Sequence, residues 1–227
     1  RLVEIIASDK TSNSMIDYAD YFLTNVLGKN VVHAKDTPNF IANRIGVYGM
    51  NVTLHEARKR NLSIEDVDAL TGTLIGRPKS ATFRTADVVG LDTMCFVSKT
   101  AYDKCVNDPE REIFKLPEYI NKMVENNWLG QKTKQGFYKK IDKGVIHSLD
   151  LKTLEYKPMK KKKYGAFAIA KENTYLRDRL YSVVRSDDIA GEFLWSCFAR
   201  SLIYSSFLLG EIADDVMSID NAMKGGF

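Results

Sequence analysis

The stretch Lys35-Asp-Thr-Pro-Asn-Phe-Ile-Ala-Asn-Arg44 divides the sequence into two parts of different character. Pro38 disfavours a helical backbone at the preceding residue, Thr37, so the chain is expected to turn there and to start a helix afterwards. Apolar, β-branched runs precede this turn, whereas apolar residues at helical spacing follow it. The sequence therefore predicts a domain boundary near Pro38.

Residues 1–37 are predicted to form a β-α-β unit. The runs Leu2–Ala7 and Asn30–Ala34 are strand-like, and the segment between them has apolar residues at helical spacing. Thr11 or Ser12 can cap this helix, and Gly28 can end it. Two strands and one helix leave faces and strand edges uncovered. The unit is therefore interpreted as the C-terminal end of a larger α/β domain, and the chain is expected to be an internal piece of a longer protein.

Residues 38–140 are predicted to form a helical domain. A long helix is expected from about Phe40 to Lys59, and the next should begin at Ser63, whose hydroxyl can cap it. Further helices are expected as far as about Asn127. Residues 130–140 then return to turn chemistry.

The C-terminal part is predicted to contain a connection and a second helical segment. Residues 141–185 are polar and include the run Lys160-Lys-Lys-Lys163, which is typical of a linker or irregular connection. Residues 186–227 are apolar and helical in pattern, and Ser218–Met223 loosely echoes Ser63–Ala69. We interpret this as a weak internal repeat and a partial second helical domain.

Composition excludes several classes of protein. No apolar run approaches the roughly 20 residues of a membrane-spanning helix. Three separated cysteines, Cys95, Cys105 and Cys197, indicate neither a disulfide framework nor a zinc site, which favours a reducing cytoplasm. The formal net charge of +4 comes largely from the lysine run, so nucleic-acid binding is not predicted.

Two polar residues are candidates for a functional site. Glu4 shares a strand face with Leu2 and Ile6, and a carboxylate in apolar company needs a partner such as a histidine, or exposure. From the residues alone, an exposed strand end is the favoured alternative. Asn43 is predicted in the first turns of a helix at the domain junction, where ligands collect, but a solvated helix residue is the more common case.

Gly130-Gln-Lys-Thr-Lys-Gln-Gly-Phe-Tyr138 combines two glycines with donors that can contact phosphate. Its glycine spacing is not that of a phosphate-binding Walker loop, so an ordinary surface turn is the default interpretation. The three histidines, His33, His55 and His147, have no companion residues of metal or catalytic-triad type nearby, which favours structural or solvated roles.

Taken in order, five segments resemble the 3-hydroxyacyl-CoA dehydrogenase family, over roughly the first 140 residues. The segments are Leu2-Val-Glu-Ile-Ile6, Gly28-Lys29, Lys35–Arg44, Asp87-Val-Val-Gly-Leu-Asp-Thr93 and Gly130–Tyr138. The resemblance implies a mainly α chain, with a small β-α-β remnant of a Rossmann-type NAD-binding domain, the helical C-terminal domain of the family and a partial second helical repeat.

The resemblance also assigns roles to individual residues. Glu4 matches the carboxylate partner of a catalytic histidine that would lie before residue 1, and Asn43 matches an asparagine that contacts the substrate. Lys132 matches a lysine that reaches the cofactor NAD. The implied substrate is an acyl-CoA, and the implied partner is a second copy of the enzyme, contacted through the helical domain.

The implied reaction is NAD-dependent oxidation of (3S)-3-hydroxyacyl-CoA to 3-ketoacyl-CoA in fatty-acid β-oxidation. The histidine and the Gly-rich fingerprint of the family are absent from these residues, so the chain alone is expected to be inactive. Asn39 replaces the usual glycine of the family pattern, but Asn tolerates unusual backbone angles better than most residues, so the turn is expected to survive. Residues 77–83 also depart from the family pattern, which leaves the local shape of the acyl site open. The second helical segment resembles multifunctional proteins with a fused enoyl-CoA hydratase.

Two alternatives to this function remain. The chain could be a noncatalytic helical dimerisation module or part of a dehydrogenase of another hydroxy acid.

Overall fold

A computed structural model describes residues 1–160 and 162–226. Lys161, in the predicted linker, and Phe227, the end of the predicted second helical domain, lie outside the described residues. The strands are β1 (Leu2–Ile6), β2 (Asn30–Ala34), β3 (Tyr138–Asp142), β4 (Val145–Leu149) and β5 (Tyr156–Pro158). The helices are α1 (Asn13–Tyr21), α2 (Ala42–Lys59), α3 (Ile64–Thr71), α4 (Phe83–Val89), α5 (Leu91–Lys104), α6 (Glu118–Glu125), α7 (Gly165–Glu172), α8 (Leu176–Val183), α9 (Ile189–Phe207) and α10 (Val216–Gly226). The predicted mainly α fold is confirmed.

The predicted β-α-β unit is present at the N-terminus. β1 and β2 pair in parallel, with Glu4 opposite Val32, and α1 connects them. The hydroxyl of Ser12 caps α1 by accepting a hydrogen bond from the Met15 amide, and a π-helical turn over Phe22–Val26 extends the helix. Gly28 then adopts a left-handed φ of 58°, a conformation that glycine adopts without steric cost. The sequence thus correctly placed both the start and the end of this helix.

Residues 141–185 are not an irregular linker, and that prediction is corrected. β3 continues to Asp142 and pairs with β4, which in turn pairs with β5 in an antiparallel sheet. Two helices, α7 and α8, follow within the same stretch. The strands are short and contain three lysines, two of them exposed, whereas the buried residues are Tyr138, Ser148 and Leu149. A polar strand with few buried residues shows no clear alternation of apolar and polar residues, so the sequence does not predict these strands.

The chain divides into two compact units, each built from separate stretches of sequence. The first contains residues 1–49, 97–114 and the chain from Arg200 onward, and the second contains residues 50–96 and 115–199. The sequence pattern predicts instead four consecutive segments. Apart from the linker corrected above, that division into domains stays a prediction.

In the first unit, the C-terminal helix packs against the N-terminal sheet. α10 contacts both β1 and β2. Gly225 and Gly226 lie against Leu2, and a side chain added at Gly226 would meet Leu2 Cδ2 at 2.9 Å. The Asn30 amide also donates to the main-chain oxygen of Asn221. Residues more than 190 positions apart in sequence thus form the surroundings of β1.

The second unit contains an extensive hydrophobic core. α3, α4 and α6 contribute completely buried residues, among them Ile64, Phe83 and Ile120, and the sheet segment adds Phe137. Phe83 and Phe137 meet edge to face with ring centroids 4.5 Å apart. Ser63 caps α3 in a reciprocal capping box with Asp66, which confirms the predicted start of that helix. Among the described residues, no helix is both long and apolar enough to cross a lipid bilayer.

Candidate active site

Glu4 lies on β1 with its carboxylate against the start of α2. Its Oε1 atom accepts hydrogen bonds from the amides of Ile41 and Ala42, at 2.9 and 3.0 Å. Amides at a helix N-terminus have no partner within the helix, and the helix dipole favours a negative charge there. The N-terminus of α2 therefore stabilises the charge of the Glu4 carboxylate, whose neighbours on the strand face are apolar. The described residues give Oε2 of Glu4 no hydrogen-bond partner.

Asn43 lies in the first turn of α2 and is exposed. It follows directly on Ala42, whose amide Glu4 binds. The structure therefore brings two of the three residues predicted for the site to one helix end. The roles of Glu4 and Asn43 in a reaction stay predictions.

The turn before α2 has an unusual backbone. Asn39 and Phe40 have φ values of 68° and 49°, in the left-handed region. Asn adopts this region more readily than most residues, so Asn39 can occupy a position where the family has glycine, as the sequence analysis expected. The Asn39 side chain also donates to the main-chain oxygen of Val97 at 3.0 Å. This bond ties the turn to α5.

Arg44, the residue after Asn43, anchors the same helix end through a buried polar network. Its guanidinium bonds Asp108 at 2.5 Å and the Tyr204 hydroxyl at 2.7 Å, and it also contacts Cys105 Sγ. The Tyr204 hydroxyl donates to Asp108 at 2.6 Å. The Arg44 and Asp108 side chains are both 0% exposed. Sequence reasoning missed this network because its members lie 61 to 160 positions from Arg44.

The surroundings of Arg44 favour its charge. Burial acts to lower the pKa of its guanidinium, but Tyr204, Asp108 and Cys105 together raise that pKa. Burial in turn raises the pKa of the Cys105 thiol and of the Tyr204 phenol, so both stay protonated near neutral pH. Arg44 therefore forms a buried ion pair with Asp108 and a longer one, at 3.4 Å, with the half-exposed Glu211, and neutral hydrogen-bonding groups surround it.

Lys132 lies in the second unit, in a short 3-10 helix over Gln131–Thr133. Its Nζ atom contacts both carboxylate oxygens of Asp92 at 2.5 Å. The hydrogen bond from Lys132 lowers the pKa of Asp92. Lys132, which the resemblance assigns to the cofactor, is thus engaged in an ion pair. The side chains of Lys132 and Asp92 are both about half exposed.

Asp87 joins two of the segments on which the family resemblance rests. Its carboxylate accepts from the amides of Phe137 and Tyr138 at 2.8 and 3.0 Å. A side chain at Gly130 or Gly136 would collide with Asp87, at 2.2 Å from its main-chain oxygen and 2.1 Å from its carboxylate oxygen. The two glycines of the segment Gly130–Tyr138 are therefore needed for close packing rather than for phosphate binding.

Burial raises the pKa of Asp87 to about 6, despite its two amide bonds. A carboxyl with a raised folded-state pKa adds stability that is present below about pH 4 and is lost as the pH rises through about 6. We expect Asp87→Asn to abolish this titration, so the stability of the variant relative to the native chain should improve by up to about 3 kcal/mol between pH 4 and 7. Urea unfolding at several pH values measures this difference.

The exposed Asp187 provides a matched control, because Asp187→Asn makes the same change at the surface. The control variant should not reproduce the gain in relative stability expected of Asp87→Asn between pH 4 and 7. A pH-independent offset for Asp87→Asn would contradict the assignment.

The strand that pairs with β1 contains a histidine, but this histidine binds another carboxylate. His33, on β2, binds Asp20 at 2.8 Å, and this hydrogen bond lowers the pKa of Asp20. Among the described residues, no imidazole is hydrogen-bonded to Glu4. The same described residues contain no group of three or more His, Cys, Asp or Glu side chains that could hold a metal ion.

Comparison with known proteins identifies the class of this chain. Residues 40–140 match the family model of the 3-hydroxyacyl-CoA dehydrogenase C-terminal domain. The chain is 50% identical to a probable 3-hydroxyacyl-CoA dehydrogenase of Bacillus subtilis, over 100% of this chain and 28% of that protein. It is 27% identical to a putative fatty acid oxidation complex trifunctional enzyme of Rickettsia prowazekii, over 100% of this chain and 30% of that protein.

A solved structure agrees with this identification. The crystal structure of (S)-3-hydroxybutyryl-CoA dehydrogenase from Ralstonia eutropha matches with a TM-score of 0.52 and 27% identity, over 60% of this chain and 46% of that one. Such proteins are oxidoreductases. The chain belongs to the 3-hydroxyacyl-CoA dehydrogenase family, with the C-terminal domain of that family at residues 40–140. It spans less than a third of the length of the two curated relatives.

Proposed function

We propose that this chain is the substrate-binding part of an NAD-dependent enzyme that oxidises (3S)-3-hydroxyacyl-CoA to 3-ketoacyl-CoA in fatty-acid β-oxidation. The observation that carries the proposal is the placement of Glu4 and Asn43 at the start of α2, with one carboxylate oxygen of Glu4 bound and the other without a partner among the described residues. The names of the relatives support this kind of reaction. The proposal includes a cytoplasmic enzyme that forms a homodimer through the helical domain.

Glu4 is proposed as a positioning residue. The two amide bonds to Oε1 fix the carboxylate, and Oε2 is then able to accept the ring N–H of an imidazole. A carboxylate in this position orients the ring and stabilises its protonated form while the other ring nitrogen takes the proton of the substrate hydroxyl. No histidine of the described residues fills this role, so we assign it to a residue outside this chain, which alone should be inactive.

The residues of this chain do not by themselves fit a dinucleotide. The sequence contains no Gly-x-Gly-x-x-Gly fingerprint, and the connection between β1 and α1, residues 7–12, contains no glycine that would let a backbone approach a pyrophosphate. NAD would then be held mainly by other residues. Lys132 is the contribution proposed for this chain, and its ion pair with Asp92 would have to open for Lys132 to reach the cofactor.

Asn43 is proposed to hydrogen-bond the substrate near the reacting carbon. We expect Asn43→Ala to lower kcat/KM by roughly tenfold to a hundredfold, because a polar group of the bound substrate would lose its partner. Both turnover and KM should change. The measurement is NADH formation from (3S)-3-hydroxybutyryl-CoA by the complete enzyme that contains this chain.

Asn13 is a matched control, because it is exposed and is the first residue of a helix, α1. Asn13→Ala should leave both kinetic constants within about twofold of the native values, since it removes no substrate contact. Unchanged kinetics in Asn43→Ala would remove Asn43 from the substrate site.

A further inference from the structure

The second unit contains a cleft that none of the residues proposed for the dehydrogenase site lines. Its walls are the end of α2 with the start of α3, the first turns of α6, and residues between 148 and 160 together with Lys162. The cleft has a volume of about 730 Å³, which is in the range of small-molecule sites. It is therefore large enough for a ligand of nucleotide size.

Positive charge predominates around this cleft. Six basic residues line it, against three acidic ones, Glu65, Glu118 and Asp150. The basic residues are Arg58, Lys122, Lys152, Lys157, Lys160 and Lys162. The lining thus carries a formal excess of three positive charges, which attracts anions.

The carboxylates of the cleft are already occupied by groups of the protein. Glu65 accepts from the Ser148 hydroxyl and from the main-chain amide of Lys160, at 2.9 and 3.0 Å. Glu118 pairs with Lys122 at 2.7 Å. These bonds leave the acidic groups little capacity to neutralise further cations.

Asp150 is occupied in the same way. It accepts from the Lys152 and Thr153 amides and pairs with Lys157 at 2.8 Å. The hydrogen bond from Lys157 lowers the pKa of Asp150 to about 2, so the group stays ionised and bound to its protein partners. This carboxylate therefore serves to hold the segment in place.

Three of the cations have no such partner. Within residues 1–160 and 162–226, Arg58, Lys152 and Lys160 form no ion pair, although all three are exposed on the cleft. They come from three different stretches of the chain, the end of α2, the β4–β5 connection and the segment after β5. Cations without an ion-pair partner that come from separate elements and meet at one cleft suit a site for phosphate groups.

The rest of the cleft is lined by apolar residues that suit the part of the ligand without phosphate groups. Leu62, Leu149, Leu151 and Leu154 line the cleft beside the cations. Tyr119 also lines it, and its hydroxyl is buried without a hydrogen-bond partner among the described residues. Burial raises the pKa of this phenol, which keeps it a donor at neutral pH. The leucines and the tyrosine ring can pack against an apolar or aromatic group of the ligand.

We infer that this cleft binds a phosphate-bearing ligand of nucleotide size, with Arg58, Lys152 and Lys160 on its phosphates and the leucine wall on its body. The inference is independent of the proposed dehydrogenase function, because no residue assigned to that function takes part. It also gives Lys160 of the lysine run a role, whereas Lys162 already pairs with the buried Asp66 at 2.8 Å.

Calorimetric titration of the 227-residue chain with ADP tests this inference. We expect saturable binding of one ADP with a Kd below about 1 mM. The triple variant Arg58→Gln, Lys152→Gln, Lys160→Gln should weaken it at least about tenfold, since it removes three positive charges from beside the phosphates. Circular dichroism and thermal unfolding establish that the variant is folded.

A matched triple variant at exposed lysines outside the cleft, Lys10→Gln, Lys104→Gln and Lys171→Gln, removes the same charge. It should leave the Kd within about twofold, because screened charges at a distance contribute little. The inference is overturned if ADP shows no saturable binding, if both triple variants weaken binding equally, or if sulfate competes with ADP at equal concentration.

Discussion

Asp108→Asn is expected to lower the free energy of unfolding of the chain by about 3–5 kcal/mol. The substitution removes the buried counter-charge of the Arg44 guanidinium and leaves it the more distant, half-exposed carboxylate of Glu211 at 3.4 Å. It also weakens the bonds that Asp108 accepts from the Tyr204 hydroxyl and the Glu110 amide. Leaving one member of a buried pair unpaired costs far more than the pair itself contributes. Urea unfolding of the native chain and the variant at pH 7 measures the difference.

Asp103 offers a control for this effect. It forms an ion pair with Lys99 on the surface of α5, where both side chains are about half exposed or more. Asp103→Asn should therefore cost less than about 1 kcal/mol. If Asp108→Asn were no more destabilising than Asp103→Asn, the buried network would not be what holds the start of α2.

Glu4→Gln is expected to lower kcat of the complete enzyme by a factor on the order of 10²–10³, with little change in KM. The glutamine oxygen can still accept from the Ile41 and Ala42 amides, so the helix start keeps its cap. The neutral amide does not stabilise a protonated imidazole as the carboxylate does. The loss should therefore appear in turnover, measured as the rate of NADH formation at saturating substrate.

Glu172 provides the matched control for this substitution, because it is an exposed glutamate at the end of α7. Glu172→Gln should leave kcat within about twofold of the native value. The unfolding free energy of Glu4→Gln should also stay within about 1 kcal/mol of the native chain. A larger loss of stability than this would mean that Glu4 acts mainly as a helix cap.

Local signals in the sequence predicted much of the fold. The start of α1 at Ser12, the stop at Gly28 and the capping box at Ser63 each depend on a few neighbouring residues. The turn at Pro38 and the helix after it follow from the restrictions that proline imposes. Such features require no knowledge of tertiary contacts, and the structure contains all of them.

Features that depend on distant contacts could not be predicted. Glu4 finds its partners 37 and 38 positions away, and Arg44 finds Tyr204 160 positions away. Asp87 packs so closely against Gly130 and Gly136 that neither position can hold a side chain. No local sequence pattern links Asp87 to these two glycines. The short, lysine-rich strands of residues 138–158 gave no alternation that distinguished them from a linker.

The candidate site shows the same division. Strand alternation alone left Glu4 undecided, and the exposed strand end was the favoured interpretation. The structure instead places its carboxylate on the first amides of α2, beside Asn43. Only the ordered resemblance to the family had pointed to these two residues together, because it carries information on tertiary position that a single sequence pattern lacks.

The pH dependence of kcat/KM for the complete enzyme tests the central claim most directly, which is that Glu4 supports an imidazole base. A carboxylate beside the ring stabilises its protonated form, so its removal should lower the pKa of the base by about one unit. We predict that Glu4→Gln shifts the acidic limb of the profile to lower pH by that amount. A profile reduced in height but unshifted in pH would contradict the account.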